Sequence, residues 1–409
     1  MRSLFLFVLV AIVVGMAACT EQSNPLSTDK DSVGNEDDVA LSKKEAKTFY
    51  DITTFSASLG GTASAGNGLD NQGRVVGSSN LPGDDHAHAA LWRNGVLVDL
   101  GTLGGPNSSV AWPGQNDKGM IVGISETPAL GGENWACRFF FPSSTGHQCV
   151  GFVWQDGVMT KLPTWPGGTN GFATGVNNRG QVVGWAENGV EDPTCNSPVV
   201  HQFRGVLWDT RTSTMKELSP LSGDSTSSGT AINDRGQVVG ISGDCSNAVG
   251  GFSARNAVLW ERDGTAIDIG NLGGKAWHTP MDINNRGDIV GFGNPAGVPG
   301  DAFGIHAFLW TRHGGIKDLG VLEGDATSQA LGINEHRQVV GLSRGPEGDR
   351  AVLWERGVMT NLNDLAPDYD GTLLYAGHIN NRGVITGASR DQETNETLTF
   401  IATPQRGRR

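Results

Sequence analysis

Four cysteines in the middle of the chain, Cys137, Cys149, Cys195 and Cys245, carry its most legible chemistry. An even set in an oxidising compartment pairs into disulfides. We expect Cys137 to join Cys149 and Cys195 to join Cys245, the first bond closing a loop of about 13 residues and contributing about 3 kcal/mol. A metal site built from them is disfavoured, because the chain has no Cys-x-x-Cys pair. Asp84, His86 and His88 alternate, so an extended chain would put all of them on one side, but they abut a strand-like segment and read as solvated polar residues. Asp282 to Gly287 resembles the start of a calcium loop, yet Arg286 stands where an oxygen ligand belongs and no Glu follows at the required distance. It reads as a hairpin turn. Gly291-Phe292-Gly293 with Gly297 does not open a helix and so offers no phosphate cradle. Gly-x-Ser-x-Gly, His-Glu-x-x-His and Gly-Lys-Ser/Thr motifs are absent from the sequence. The motifs therefore assign no catalytic residue, no metal ligand and no cofactor.

The elements that must hold these residues follow from a unit that keeps returning, seen most clearly in Asn177 to Gly184 (Asn-Asn-Arg-Gly-Gln-Val-Val-Gly). It recurs at Asn233 to Gly240, Asn284 to Gly291, Asn334 to Gly341 and Asn380 to Gly387, and more weakly at Asp70 to Gly77 and Asn116 to Gly123. The closing glycines of the seven copies are 46, 61, 56, 51, 50 and 46 residues apart, a spacing that marks a repeat architecture. Each copy divides into four strand-like pieces. The first ends in the Asn, and a turn leads to the second, Gln-Val-Val-Gly, by a hairpin recipe in which Asn bonds its own backbone and Gly takes positive φ. Arg337 replaces that Gly in the sixth copy and should strain the turn by about 1 kcal/mol. The third piece ends in Trp92, Trp154, Trp208, Trp260, Trp310 or Trp354. The fourth reads like Asp99 to Gly105. Val-Val and Leu-Trp runs do not alternate with polar residues, so both faces of these strands should be covered.

Four antiparallel strands repeated seven times predict an all-β, seven-bladed β-propeller. The seventh copy lacks its fourth strand, and residues 48–61 supply a matching piece at the other end of the chain. The amino-terminal strand should therefore close the last blade and leave no sheet edge exposed.

The amino terminus points to export. Met1-Arg2-Ser3 is followed by an apolar run from Leu4 to Val14, short of the ~20 residues a spanning helix needs. Met16-Ala17-Ala18-Cys19 resembles a bacterial lipobox, with Cys19 as the lipidated residue and Thr20 favouring the outer membrane. The expected domains are a signal peptide over 1–18, a polar tether over 19–47, the propeller over 48–404 and a basic tail over 405–409. The tether is too polar to offset the entropy of ordering.

The Ile-Asn-x-x-Gly-x-Val-x-Gly units, the Ala-Phe-Leu-Trp segment at Ala307 to Trp310 and the Asp-Leu-Gly-x-Leu-Gly-Gly segment at Asp99 to Gly105 resemble the bacterial HAF extracellular repeat family. The resemblance spans residues 48–404 and implies an exported repeat protein. It implies no reaction.

A formal charge of −13 argues against binding nucleic acid through phosphates, which needs clustered Lys and Arg. The expected partners are a membrane, through the lipid, and a protein or glycan. Connections from second to third strand and from blade to blade leave one face of the disc, and three of them are long: residues 124–150, 185–204 and 241–256. Variable loops on a rigid scaffold are where binding surfaces lie. We expect that cysteine-bearing face to bind, through Trp135, Phe139, Phe140, Phe141, Trp185 and His201, with Trp112, Trp165 and Trp277 nearby. The alternative is a glycan hydrolase or lyase with Glu133, His201, His278 and Asp325 gathered at the channel mouth.

Overall fold

The computed structural model describes residues 47–405 without 56–57, 111–112, 132–134, 144, 247–249 and 298–303. The expected signal peptide, Cys19, nearly all of the tether, Arg406–Arg409, Trp112 and Glu133 lie outside the described residues.

Twenty-eight strands form seven four-stranded antiparallel sheets, a seven-bladed propeller. Blade four is representative, with strands Thr226–Ile232, Val238–Gly243, Asn256–Trp260 and Ala266–Asp268. Its first two strands are wholly buried and its fourth is half-exposed, so the chain runs from the axis outward in each blade. Inner strands of successive blades touch one another. The unalternating apolar runs are thereby covered on both sides.

The closing glycine of every repeat has a steric cause. In six blades the inner strand slips register by a residue, as between Gly229 and Ala231, and the bulge pushes a carbonyl toward the second strand. A Cβ on Gly240 would lie 1.9 Å from the Ser228 oxygen, and the other six glycines meet their counterparts at 1.8–2.2 Å. No side chain fits there.

Neighbouring blades are joined by polar contacts that repeat with the sequence. The indoles of Trp208, Trp260 and Trp354 donate to the carbonyls of Pro163, Ser219 and Leu319 in the preceding blade, at 3.0, 2.8 and 3.1 Å. Ser227 donates to the Leu218 carbonyl (2.6 Å) and accepts from the Gly205 N–H (3.0 Å), both also in the preceding blade. The recurring tryptophan thus clamps one blade to the next as well as filling the space between them.

The ring closes as the repeat count requires. Tyr50–Phe55 pairs antiparallel with Thr397–Pro404, placing Ile52 opposite Ala402 and Thr54 opposite Phe400, and so provides the fourth strand of blade seven. Tyr50 is buried in that blade's core beside Leu353, Leu365 and Phe400. Arg337 takes φ 60° at the turn where six other repeats have glycine, and its guanidinium grips Asp288 of the previous blade at 2.7 and 2.9 Å. The strained turn is compensated by that pair.

Candidate functional site

The two faces of the disc are built differently. On the hairpin face, Asn177 accepts the N–H groups of Arg179 (3.0 Å) and Gln181 (3.1 Å) through Oδ1, which fixes its own turn. Its Nδ2 donates to the Asn233 carbonyl of the next blade at 3.1 Å. Asn116, Asn233, Asn284, Asn334 and Asn380 make the same inter-blade bond. The amide offers an acceptor and a donor at once, which an ionised carboxylate does not. Blade one carries Asp70 instead, and Arg74 bridges in its place, bound to the Asp70 carboxylate and, at 2.9 Å, to the Asp117 carbonyl.

The following residues form a second ring. Asn71, Asp117, Asn178, Asp234, Asn285, Glu335 and Asn381 each donate a backbone N–H to a side-chain oxygen of the next member, at 2.8–3.1 Å, and Asn381 returns to Asn71. Amides separate the three carboxylates, which keeps like charges from adjoining. Together the rings surround a polar pit of about 160 Å³, whose wall includes Asp282 and His378.

The loop face carries the two disulfides and, among the described residues, a buried apolar cluster. Cys137 bonds to Cys149 and Cys195 to Cys245, with Cα separations of 5.7 and 4.3 Å, in the expected pairing. Between the two extended strands of blade two, Ile121–Leu130 and His147–Gln155, a short helix, Trp135–Phe140, folds inward. Trp135 stacks on Trp185 (4.8 Å between rings, 10° between planes) and donates its indole N–H to Glu187 at 2.8 Å. Phe140 meets Phe172 at 4.5 Å. One apolar cluster joins these to Val199, Cys245, Met281, Phe292, Ile305 and Leu331, drawn from blades two to six. The long loops therefore form a cap over this end of the channel. Outside the cap, Leu130 (69 %), Phe252 (52 %), Val190 (51 %) and Val200 (43 %) remain exposed on the loops of blades two, three and four.

This arrangement corrects the expected binding residues. Trp135, Phe140, Phe141 and Trp185 are buried in the cap and present no surface for a ligand to stack on. The physical reason is that the axial space must be filled, and the largest apolar side chains of the inserted loops fill it. Phe139 and Trp277 pack half-buried against the same cluster, Trp165 packs against the core between blades two and three, and His201 begins the third strand of blade three, half-buried.

Among the described residues, His201, His278 and Asp325 do not come together as one cluster. Asp325 is paired with Arg350, and His278 is fully buried with Nε2 3.2 Å from the Gly274 carbonyl. Burial pushes the His278 pKa below its ordinary value, against the opposing pull of that carbonyl and Asp268. Asp84 and His88 are each engaged with other side chains. Burial raises the Asp84 pKa, but hydrogen bonds from Thr62 and Asn80 outweigh it and leave the group below its usual range, while His88 Nδ1 lies 2.9 Å from Asp99. Asp282 to Gly287 forms the expected hairpin, with Gly287 at φ 83°. Among the described residues, Glu126, Cys137 and Cys149 cluster within 4.8 Å, but the two sulfurs are bonded to each other and supply no thiolate.

Sequence reasoning missed the pit, the side chain of His378 and its meeting with Asp282 there. Two residues before each ring Asn or Asp stand Gly68, Gly114, Gly175, Ala231, Asp282, Gly332 and His378. Aligning the repeats on that column would have exposed the two exceptions.

No family model and no curated protein matches this chain. Among solved structures it is similar to the β-propeller domain of the Trilobed protease from Pyrococcus furiosus, at 10% identity and TM-score 0.41 over 72% of this chain and 82% of that one. It is also similar to a streptogramin B lyase, at 11% identity and TM-score 0.47 over 87% and 98%. An oligogalacturonate lyase in complex with manganese aligns at 10% identity and TM-score 0.47 over 88% and 97%. Likeness at this level concerns the fold alone. Among the described residues no helix is long and apolar enough to cross a membrane. The two disulfides are consistent with an exported protein.

Proposed function

We propose that this chain is an exported binding or scaffold module, lipid-tethered through Cys19 and akin to the HAF repeat proteins, that engages a protein partner through its loop face. The observation that supports this reading is the set of apolar side chains held in solvent, Leu130, Val190, Val200 and Phe252, on neighbouring loops of one face. A contiguous apolar patch exposed on one face is a mark of an interaction site. The loops that carry them are braced by the disulfides and the cap, so association costs little ordering entropy. The side chains are mostly aliphatic, which suits a protein surface better than a sugar.

The test uses residues 48–405, immobilised and exposed to solubilised cell-envelope proteins, with captured species quantified by mass spectrometry. A Leu130→Asp, Val190→Asp, Phe252→Asp variant, altered only at exposed positions, should lose at least tenfold of the specific capture. A Val96→Asp, Val358→Asp control on the outer hairpins should not. Equal capture by the loop-face variant would remove this face from consideration.

A further inference from the structure

The column that faces the axis two residues before each ring Asn or Asp is small in five blades, Gly68, Gly114, Gly175, Ala231 and Gly332, and chemically functional in two, Asp282 and His378. These two side chains belong to blades five and seven, and they meet across blade six. His378 Nε2 lies 3.6 Å from Asp282 Oδ2. Gly332 stands between them, and a Cβ there would sit 3.0 Å from the His378 Cα and 3.2 Å from its ring. Any larger residue in blade six would press on the pair.

The protonation pattern of the pair is constrained. His378 Nδ1 lies 2.9 Å from the Leu69 carbonyl, which can only accept, so Nδ1 carries the proton. In the neutral ring Nε2 then presents a lone pair. It faces a carboxylate whose Oδ1 already accepts the Ile283 N–H (2.8 Å) and whose Oδ2 accepts the Ile333 N–H (2.9 Å). With the ring protonated the contact is an ion pair, and with the ring neutral two electron-rich atoms face each other at 3.6 Å. Each is fixed by a backbone group behind it, the arrangement of metal ligands with their outer supports.

We infer that His378 Nε2 and Asp282 Oδ2 form a binding site on the channel axis for a divalent ion of the zinc class, completed by water. With bonds of about 2.1 Å to each atom, ligands at the observed separation subtend roughly 120°, within the range of a four- or five-coordinate ion. Imidazole with carboxylate selects zinc, nickel or cobalt over calcium and magnesium, which take oxygen ligands. The side chains are 19% and 13% exposed, enough to admit an ion and its waters from the pit. The pair lines the pit on the hairpin face, so entry is from that side. The carboxylates of Asp117, Asp234 and Glu335 around the mouth raise the local concentration of cations without themselves being ligands.

The test is titration of residues 48–405, prepared without a histidine tag, with Zn2+ by calorimetry and with Co2+ by visible absorption. One ion per chain is expected, competed away by a chelator. His378→Gln keeps a donor for the Leu69 carbonyl, and Asp282→Asn keeps one of the two acceptor oxygens while turning an amide NH2 toward the other N–H. With folding of both variants checked by circular dichroism, each should lower affinity at least tenfold. Asp117→Asn and Glu335→Gln should change it less than threefold. Histidine-selective nitrogen NMR on the unaltered protein provides a reading independent of variant folding: Zn2+ should move the Nε2 resonance of His378. Absence of a bound ion, affinity unchanged in both dyad variants, or a His378 resonance that responds to pH but not to Zn2+ would each overturn the site. None of these results bears on the loop face.

Discussion

Gly240 shows how a single atom can be excluded by a fold. Its position faces the Ser228 oxygen at a distance that no Cβ tolerates, because the bulge in the inner strand has turned that carbonyl outward. Gly240→Ala should therefore cost about 3 kcal/mol, at the upper end for overpacking, read as a lowered urea midpoint with unchanged slope. His278 is sensitive to pH for a different reason. Burial depresses its pKa, so below about 6.5 the unfolded chain takes up a proton that the folded chain refuses, and stability falls as pH drops through that range. Urea midpoints measured from pH 7.5 to 5.5 should decline, and His278→Gln should flatten the decline. Arg337 was legible in the sequence as a misplaced residue in a turn. Its remedy was not, because Asp288 lies in another blade 49 positions away and nothing local links them.

At the level of strands and loops, periodic and inserted segments differ in what the sequence discloses. The hairpins, the tryptophan strands and the closing strand Tyr50–Phe55 were readable because each recurs, or is conspicuously missing, at a fixed interval. The helix Trp135–Phe140 was not, because an insertion occurring once has no period and its aromatics look the same whether they fill a channel or face a ligand. The disulfides brace these insertions unequally. Cys137–Cys149 spans 12 positions and Cys195–Cys245 spans 50, linking the loops of blades three and four, so the second removes more freedom from the unfolded chain. In the loop-entropy account the two contribute about 3 and about 4 kcal/mol. Paired replacement by Ala should lower the thermal midpoint in that order, and mild reductant should lower the wild-type midpoint further than either pair alone.

As a whole the molecule is a wheel with an apolar cap at one end and a polar pit at the other. The cap is covalently braced and specific to blades two to six; the open end around the pit is made from the repeat itself. The count of seven blades follows from the repeats, and so does the chemistry of the open end once they are aligned, since Asn71, Asp117, Asn178, Asp234, Asn285, Glu335 and Asn381 follow directly on the recurring Asn or Asp. What could not be read was which columns face inward, because that depends on the bulge turning the inner strand. The alternation of amide and acid in that necklace has a further consequence. Seven is odd, so strict alternation is impossible and two like members must adjoin somewhere. They do so where Asn381 meets Asn71, between the last blade and the first. A six- or eight-bladed ring could alternate strictly; here the one pair of adjoining amides falls between the first and last sectors of the wheel.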